Sequence, residues 1–358
     1  APKSRNMPPK QAAKIPTLKP RNVLGGGKAT LTQSDQEKAC CFSVRWNSDA
    51  SLLACSFGDG SIQIFGRDGG MFADFRTALT DSPMTCLRWG STLETRKTLI
   101  ASSVSGHVFH WDVYERKMSN SIFEQGNQIF GCDMSYDGEY FATVGMDRKV
   151  RVYDEALREL VLELEGEEKG SGHQNRVFCC KFPFKHRDLV LTGGWDNMVY
   201  VWDLRSKMVV RRLPGPHIAG DSIDVWDDTV LTGSGMLEPD EKNLALWDLG
   251  TAKCIQQVDW GYVPGYSREQ TKVVSVGFSR QDRAGKYFLA GSADKNEARL
   301  FDIDGELVAR YLLPRMDHHV YSIHCSIGAS EAAIGCNDGS VHIVPYVDHL
   351  AAAAEPDE

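Results

Sequence analysis

Beyond residue 40 the chain alternates apolar and polar positions over short stretches, breaks at a polar turn, and alternates again. FSVRW, TCLRW, GCDMS, FCCKF, SVGF and YSIHC are stretches of this kind, and NSDAS, SYDGE and FKHRD are turns that follow them. A second stretch built from small residues comes next: LLACSFG, TLIASSV, FATVGM, LVLTGG, TVLTGS, FLAGSA or AAIGCN. Tight turns such as GDGS, MDRK, WDNM and NDGS lead into a third stretch that ends on a large side chain. A fourth, amphipathic stretch such as ELVLELE or KMVVRRL closes the unit. Period-two alternation punctuated by turn residues predicts β-strands throughout. Asp-Gly at the tight turns suits hairpins, because glycine accepts positive φ. No long helical stripe is present.

The third stretches share an ending: His110-Trp111-Asp112, Val152-Tyr153-Asp154, Val201-Trp202-Asp203, Leu246-Trp247-Asp248 and Leu300-Phe301-Asp302, with weaker versions at Ile62–Gly66 and Val341–Pro345. The large side chains stand at 65, 111, 153, 202, 247, 301 and 344, spaced by 42 to 54 residues. Seven units of that period, four strands each, resemble WD40 repeats, and the chain resembles a seven-bladed β-propeller. The resemblance covers roughly residues 28–349. It implies an all-β fold in which His173, Thr192, Asp196 and Trp202 form the buried hydrogen-bond network of the best-matched unit. Ser105 replaces the turn aspartate in unit two, and MLEPDEKN interrupts unit five. The last unit has three strands of its own, so the outer one is expected from the N-terminal end, at Lys28–Gln33. Residues 350–358 read as an acidic tail.

Charge adds an asymmetry. Residues 1–27 carry Lys3, Arg5, Lys10, Lys14, Lys19 and Arg21 and no acid, so that the rest of the chain holds −14 against a total of −8. An acidic body argues against general nucleic-acid binding, which needs a basic face. The Pro-rich basic arm could lie along an acidic partner such as a tubulin surface or an RNA. The ten cysteines lack a Cys-x-x-Cys pair and sit mostly in apolar stretches, which points to reduced thiols in an intracellular, cytoplasmic setting. No run is long and apolar enough for a membrane span.

Three features could suggest chemistry. His173, Thr192 and Asp196 have the residue types of a hydrolase triad, but the repeat makes them buried connectors. GGGKAT at 25–30 lacks the spacing of a phosphate loop and precedes no helix. His318, His319, His324 and Cys325 do not converge, since neighbours on a strand point to opposite faces. No catalytic residue, cofactor or metal is expected.

Binding residues are better marked. The turns between second and third strands and the residues entering each first strand share one rim, which the resemblance implies is the partner face. Trp195, Met146 and Phe57 are large apolar side chains in or beside those turns, and Gln128, Arg176, Lys272 and His319 enter first strands. Separately, Val190–Arg205 fits the pattern of WD40 receptors that dock on the cullin-4 ubiquitin-ligase adaptor, with Arg205 as the informative residue. The expected function is a non-catalytic scaffold for protein–protein interactions in a larger intracellular assembly. A ligase substrate receptor, or a cytoskeletal or ciliary microtubule-associated protein anchored by the basic arm, are the alternatives.

Overall fold

The computed structural model describes residues 17–24, 40–166, 171–236, 243–261, 271–280, 285–328 and 331–346. It contains seven antiparallel sheets of four strands each, arranged as the blades of a β-propeller, and no helix among the described residues. In six blades the strands follow chain order from the innermost to the outermost. Blade four is representative: Val177–Lys181, Leu189–Gly194, Met198–Asp203 and Met208–Pro214.

Each blade presents apolar side chains on both faces, so the core is a ring of interfaces between neighbours rather than one centre. One cluster joins Ile64 and Phe75 of blade one to Leu87, Trp89 and Trp111 of blade two, and another joins Leu191 and Val201 of blade four to Ile223 and Trp247 of blade five. Close approach of blades explains the small residues of the second strands. A Cβ on Gly193 would stand 2.6 Å from Ile218 Cγ1, and one on Gly194 would stand 2.0 Å from the Arg176 carbonyl oxygen. Neither position has room for a side chain.

The ring closes at blade seven through the N-terminal end of the chain, though not through the residues expected. Asn22–Leu24 is the outer strand, paired as Asn22 with Ile343, Val23 with His342 and Leu24 with Val341. Lys28–Gln33 lies outside the described residues. Upstream, Thr17 bridges to Arg310 of blade six, and the Leu18 amide donates to the Arg310 carbonyl at 2.8 Å. Leu18 is buried among residues of blades six and seven, Leu24 among those of seven and one. Arg21 and Arg67 both pair with Glu331, at 2.7 and 3.2 Å. Part of the basic arm is thus built into the propeller: two leucines supply the burial, and an arginine meets a mostly buried acid.

Candidate partner-binding face

The inner strands carry a register shift after their first residue in six blades, for example between Cys41 and Ser43, Ile129 and Gly131, and Val320 and Ser322. Such bulges re-aim side chains. Here the residue inside the shift lines the central channel: Phe42, Thr85, Phe130, Phe178, Val274 and Tyr321. With Pro83 and Val104 they wall a cavity of about 400 Å³ at one mouth, on the side of the turns between second and third strands. We call this the upper face. Phe42 stacks on Tyr321 at 5.9 Å and Phe130 on Phe178 at 4.7 Å, so the mouth is largely aromatic.

Below it the channel becomes charged. Asp221, from the loop entering blade five, contacts Arg45 and lies 3.2 Å from Arg88 Nη2 and 3.1 Å from Lys181 Nζ. One carboxylate therefore ties blade five to blades one, two and four. Arg88 also holds Asp133 at 2.6 Å, and Arg280 holds Asp224 at 3.0 Å. These groups, with His324, line a second cavity of about 170 Å³ towards the lower mouth. Burial, and then the charge of Arg88, push the Arg45 guanidinium down to about 10, still protonated at neutral pH. Burial and the surrounding cations push His324 far below the usual imidazole range, so its ring is neutral, and Nδ1 accepts the Trp46 amide at 3.0 Å. Burial alone would raise Asp224, but Arg280 and Lys181 hold it below the usual carboxylate range.

The rim residues share a repeated joint. The carbonyls of Gln128, Arg176, Lys272 and His319 accept the amides of Met146, Trp195, Ala293 and Asn337 at 2.9, 3.0, 2.9 and 3.1 Å. Trp195 continues the aromatic run outward. It stacks on Phe178 at 5.1 Å and on His217 at 5.8 Å, and Arg176 lies 5.2 Å from its ring. It is 38% exposed all the same, and Met146 on the neighbouring blade is 44% exposed. Gln128 and Lys272 are exposed, and His319 is half-buried. Phe57 is a correction. It is 8% exposed, packed with Val44, Cys55 and Val341, because as the last residue of its strand it faces the blade seven interface rather than the turn. Arg205 stands at the other end of the strand that starts beside Trp195, on the lower face, 3.5 Å from Asp188 and 3.7 Å from Asp203.

His173, Thr192, Asp196 and Trp202 come together. His173 Nδ1 meets Asp196 Oδ2 at 2.8 Å, its Nε2 meets Thr192 Oγ1 at 2.7 Å, and Trp202 Nε1 donates to the same hydroxyl at 2.8 Å. Thr192 is fully buried, so no substrate reaches that oxygen. Blade three does the same work with other residues. Glu124 accepts from Thr143 Oγ1 at 2.5 Å, Tyr153 Oη at 3.0 Å and Asn127 Nδ2 at 2.6 Å. The sequence reading missed Glu124, Asp221, His217 and the channel aromatics. Only the aromatics had a signal, the recurring ring at the second position of CFSV, IFGC, VFCC and VYSI.

A ring of seven four-stranded blades with an aromatic channel mouth has the architecture of an interaction scaffold. The family pattern "WD domain, G-beta repeat" matches residues 119–154 and 166–203. The chain thus carries WD40 repeats, and its seven-bladed ring is similar to that of WD40-repeat proteins. It is 23% identical over 297 residues to WD repeat-containing protein slp1 of Schizosaccharomyces pombe, covering 81% of this chain and 55% of that protein. It is 25% identical over 181 residues to small ribosomal subunit protein RACK1y of Oryza sativa subsp. japonica, 49% of each chain, and 33% identical over 89 residues to eukaryotic translation initiation factor 3 subunit I of Bombyx mori, 25% and 26% of the two chains. The matches span about half the length of these relatives, or less. Propellers of this family serve generally as non-catalytic scaffolds for protein interaction.

Proposed function

We propose that this protein is a rigid scaffold inside a larger intracellular assembly and holds a protein partner on its upper face. The observation that carries the reading is Trp195, an indole held by Phe178, His217 and Arg176 yet open to solvent, beside the aromatic cavity. A large apolar group fixed in place before binding loses little entropy on contact, and Trp and Arg are the side chains that dominate interfaces. The partner supplies an apolar side chain to the channel mouth and lays its backbone across the rim past Met146. The ten cysteines, nine of them buried, form no disulfide among the described residues, which supports an intracellular setting. No observation favours the ligase-receptor reading: Arg205 is engaged with two aspartates of its own blade. Nor does any favour the microtubule reading: of the basic arm, Thr17–Leu24 is bound within the propeller and residues 1–16 lie outside the described residues.

The test is affinity recovery from native extract with the intact chain and with Trp195→Ala, Met146→Ala and Arg176→Ala combined, alongside Arg205→Ala. Loss of one hot-spot side chain weakens binding by about 2 kcal/mol or more, roughly 30-fold. The triple variant should therefore lose its partners while Arg205→Ala keeps them. Equal recovery by a folded triple variant removes the upper-face reading.

A further inference from the structure

Two cysteine sulfurs on the wall of the upper cavity meet opposite charges. Cys179 Sγ donates to Asp221 Oδ1 at 3.1 Å, an arrangement that keeps it a thiol. Cys86 Sγ instead accepts from Arg88 Nη1 at 3.2 Å. A guanidinium at that distance favours the thiolate, the nucleophilic form. Next to it stands Cys132 of the following blade. Cys86 Sγ lies 3.5 Å from the Cys132 carbonyl oxygen, to which it donates while protonated, so the two residues touch across the seam. Both line the cavity at the channel mouth, so a molecule the size of water has room beside them.

We propose that Cys86 and Cys132 form a peroxide-sensitive dithiol at the seam between blades two and three. The Cys86 thiolate attacks one oxygen of hydrogen peroxide, the O–O bond breaks, and the departing hydroxide takes a proton from solvent and leaves as water. Cys86 is then a sulfenic acid. The Cys132 sulfur attacks the Cys86 sulfur, its proton goes to the departing hydroxide, and a second water leaves. Two thiols lose two electrons in all, and one peroxide becomes two waters. The proton balance suits this order. The hydrogen bond from Cys132 first, then Arg88 and Arg45, hold the Cys86 thiol well below the ordinary range against its burial, while the Cys132 thiol is raised by that same bond and by burial. One sulfur is poised to attack, and the other keeps the proton.

The chain carries its own control. Cys254 is the exposed cysteine, and partial burial raises its thiol. Reactivity governed by access alone would appear there. The experiment treats the full reduced chain with hydrogen peroxide at pH 7, quenches with an alkylating agent, and maps the peptides by mass spectrometry. Expected is a loss of two hydrogens in mass, with the Cys86 and Cys132 peptides joined and released by dithiothreitol. In Cys132→Ser a sulfenic acid at Cys86 persists and is trapped by dimedone; in Cys86→Ser Cys132 stays reduced. Serine should fold at position 86, since Ser43, Ser275 and Ser322 occupy the matching place in blades one, six and seven. Oxidation at Cys254 with Cys86 and Cys132 still alkylated overturns the proposal. So does oxidised Cys86 that does not join Cys132 in the unmutated chain.

Discussion

At the scale of single residues, some buried polar groups of this propeller form chains in which each proton has one place to go. Blade seven shows it best. Ser340 Oγ donates to Asp338 Oδ1 at 2.6 Å, which leaves its lone pairs to accept His342 Nε2–H at 2.9 Å. Nδ1 then carries no proton and accepts from the Tyr311 hydroxyl at 2.8 Å. The ring is neutral with its proton on Nε2. Burial pushes His342 down to about 4; Asp338 opposes the shift and His318 adds to it. In the unfolded chain the imidazole titrates near 6.5. Between these values the unfolded state binds more protons, so stability complete above about 6.5 falls as pH drops towards 4, by up to about 3 kcal/mol from this group. Burial lowers His110 and His324 as well, and they act with the same sign. Urea unfolding at pH 7 and pH 5 should show a lower midpoint at pH 5, and His342→Gln should narrow that difference. Equal pH differences in the two proteins would mean that His342 is not a source of the effect. The four members of the blade four network were readable in the sequence because the repeat places them at fixed offsets. Glu124 and His342 were not, since they reach similar ends with residue types and positions the repeat does not specify.

At the scale of strands, alternation and turn chemistry were enough to locate nearly every element. The tight turn after Leu189–Gly194 shows why. It needs a residue at positive φ, and Asn197, at 57°, is a type that tolerates it. The closing strand escaped because three residues, Asn22–Leu24, are too few to show a period. Lys28–Gln33 has the longer alternation and the β-branched residues, but the deciding factor is burial beyond the strand itself. Leu18 is 4% exposed between blades six and seven, six residues before Leu24 is buried at the next seam. The segment therefore fastens two seams, and its leucines should matter more than its charges. Leu18→Ala leaves a cavity in a packed interface and should cost about 2–5 kcal/mol. Arg21→Ala should cost under about 1 kcal/mol, because half of that side chain is in solvent and Arg67 remains on Glu331. Denaturant unfolding ranks the two. In Leu18→Ala, amide exchange should speed up first in Leu307–Leu312 and Val341–Pro345. A larger loss for Arg21→Ala would place the clasp energy in the ion pairs.

At the scale of the whole molecule, the channel is where the sequence could say least. Its lining takes about one side chain from each of seven blades, so residues adjacent on the wall are some 40–50 positions apart in the chain. Asp221 is the clearest case: an acid in a loop, with no local pattern to set it apart, meets Arg45, Arg88 and Lys181 from three other blades. Removing one partner of a buried ionic cluster costs more than the cluster contributes, because the remaining charges stay desolvated. Asp221→Asn keeps the shape and removes the charge facing three cations, and should lower stability by about 3–5 kcal/mol. The loss should not be confined to blade five. The cations belong to blades one, two and four, so exchange protection should fall together along Cys41–Trp46, Met84–Thr85 and onward to Trp89, and Val177–Lys181. Replacing a cation left without its partner, as in Asp221→Asn with Lys181→Met, should recover part of the stability, because coupled sites are not additive. If instead Asp221→Asn loosens blade five alone, or the second substitution adds its own full cost, the channel charges are individually solvated. The ring would then be held by its seams and its clasp without help from the axis.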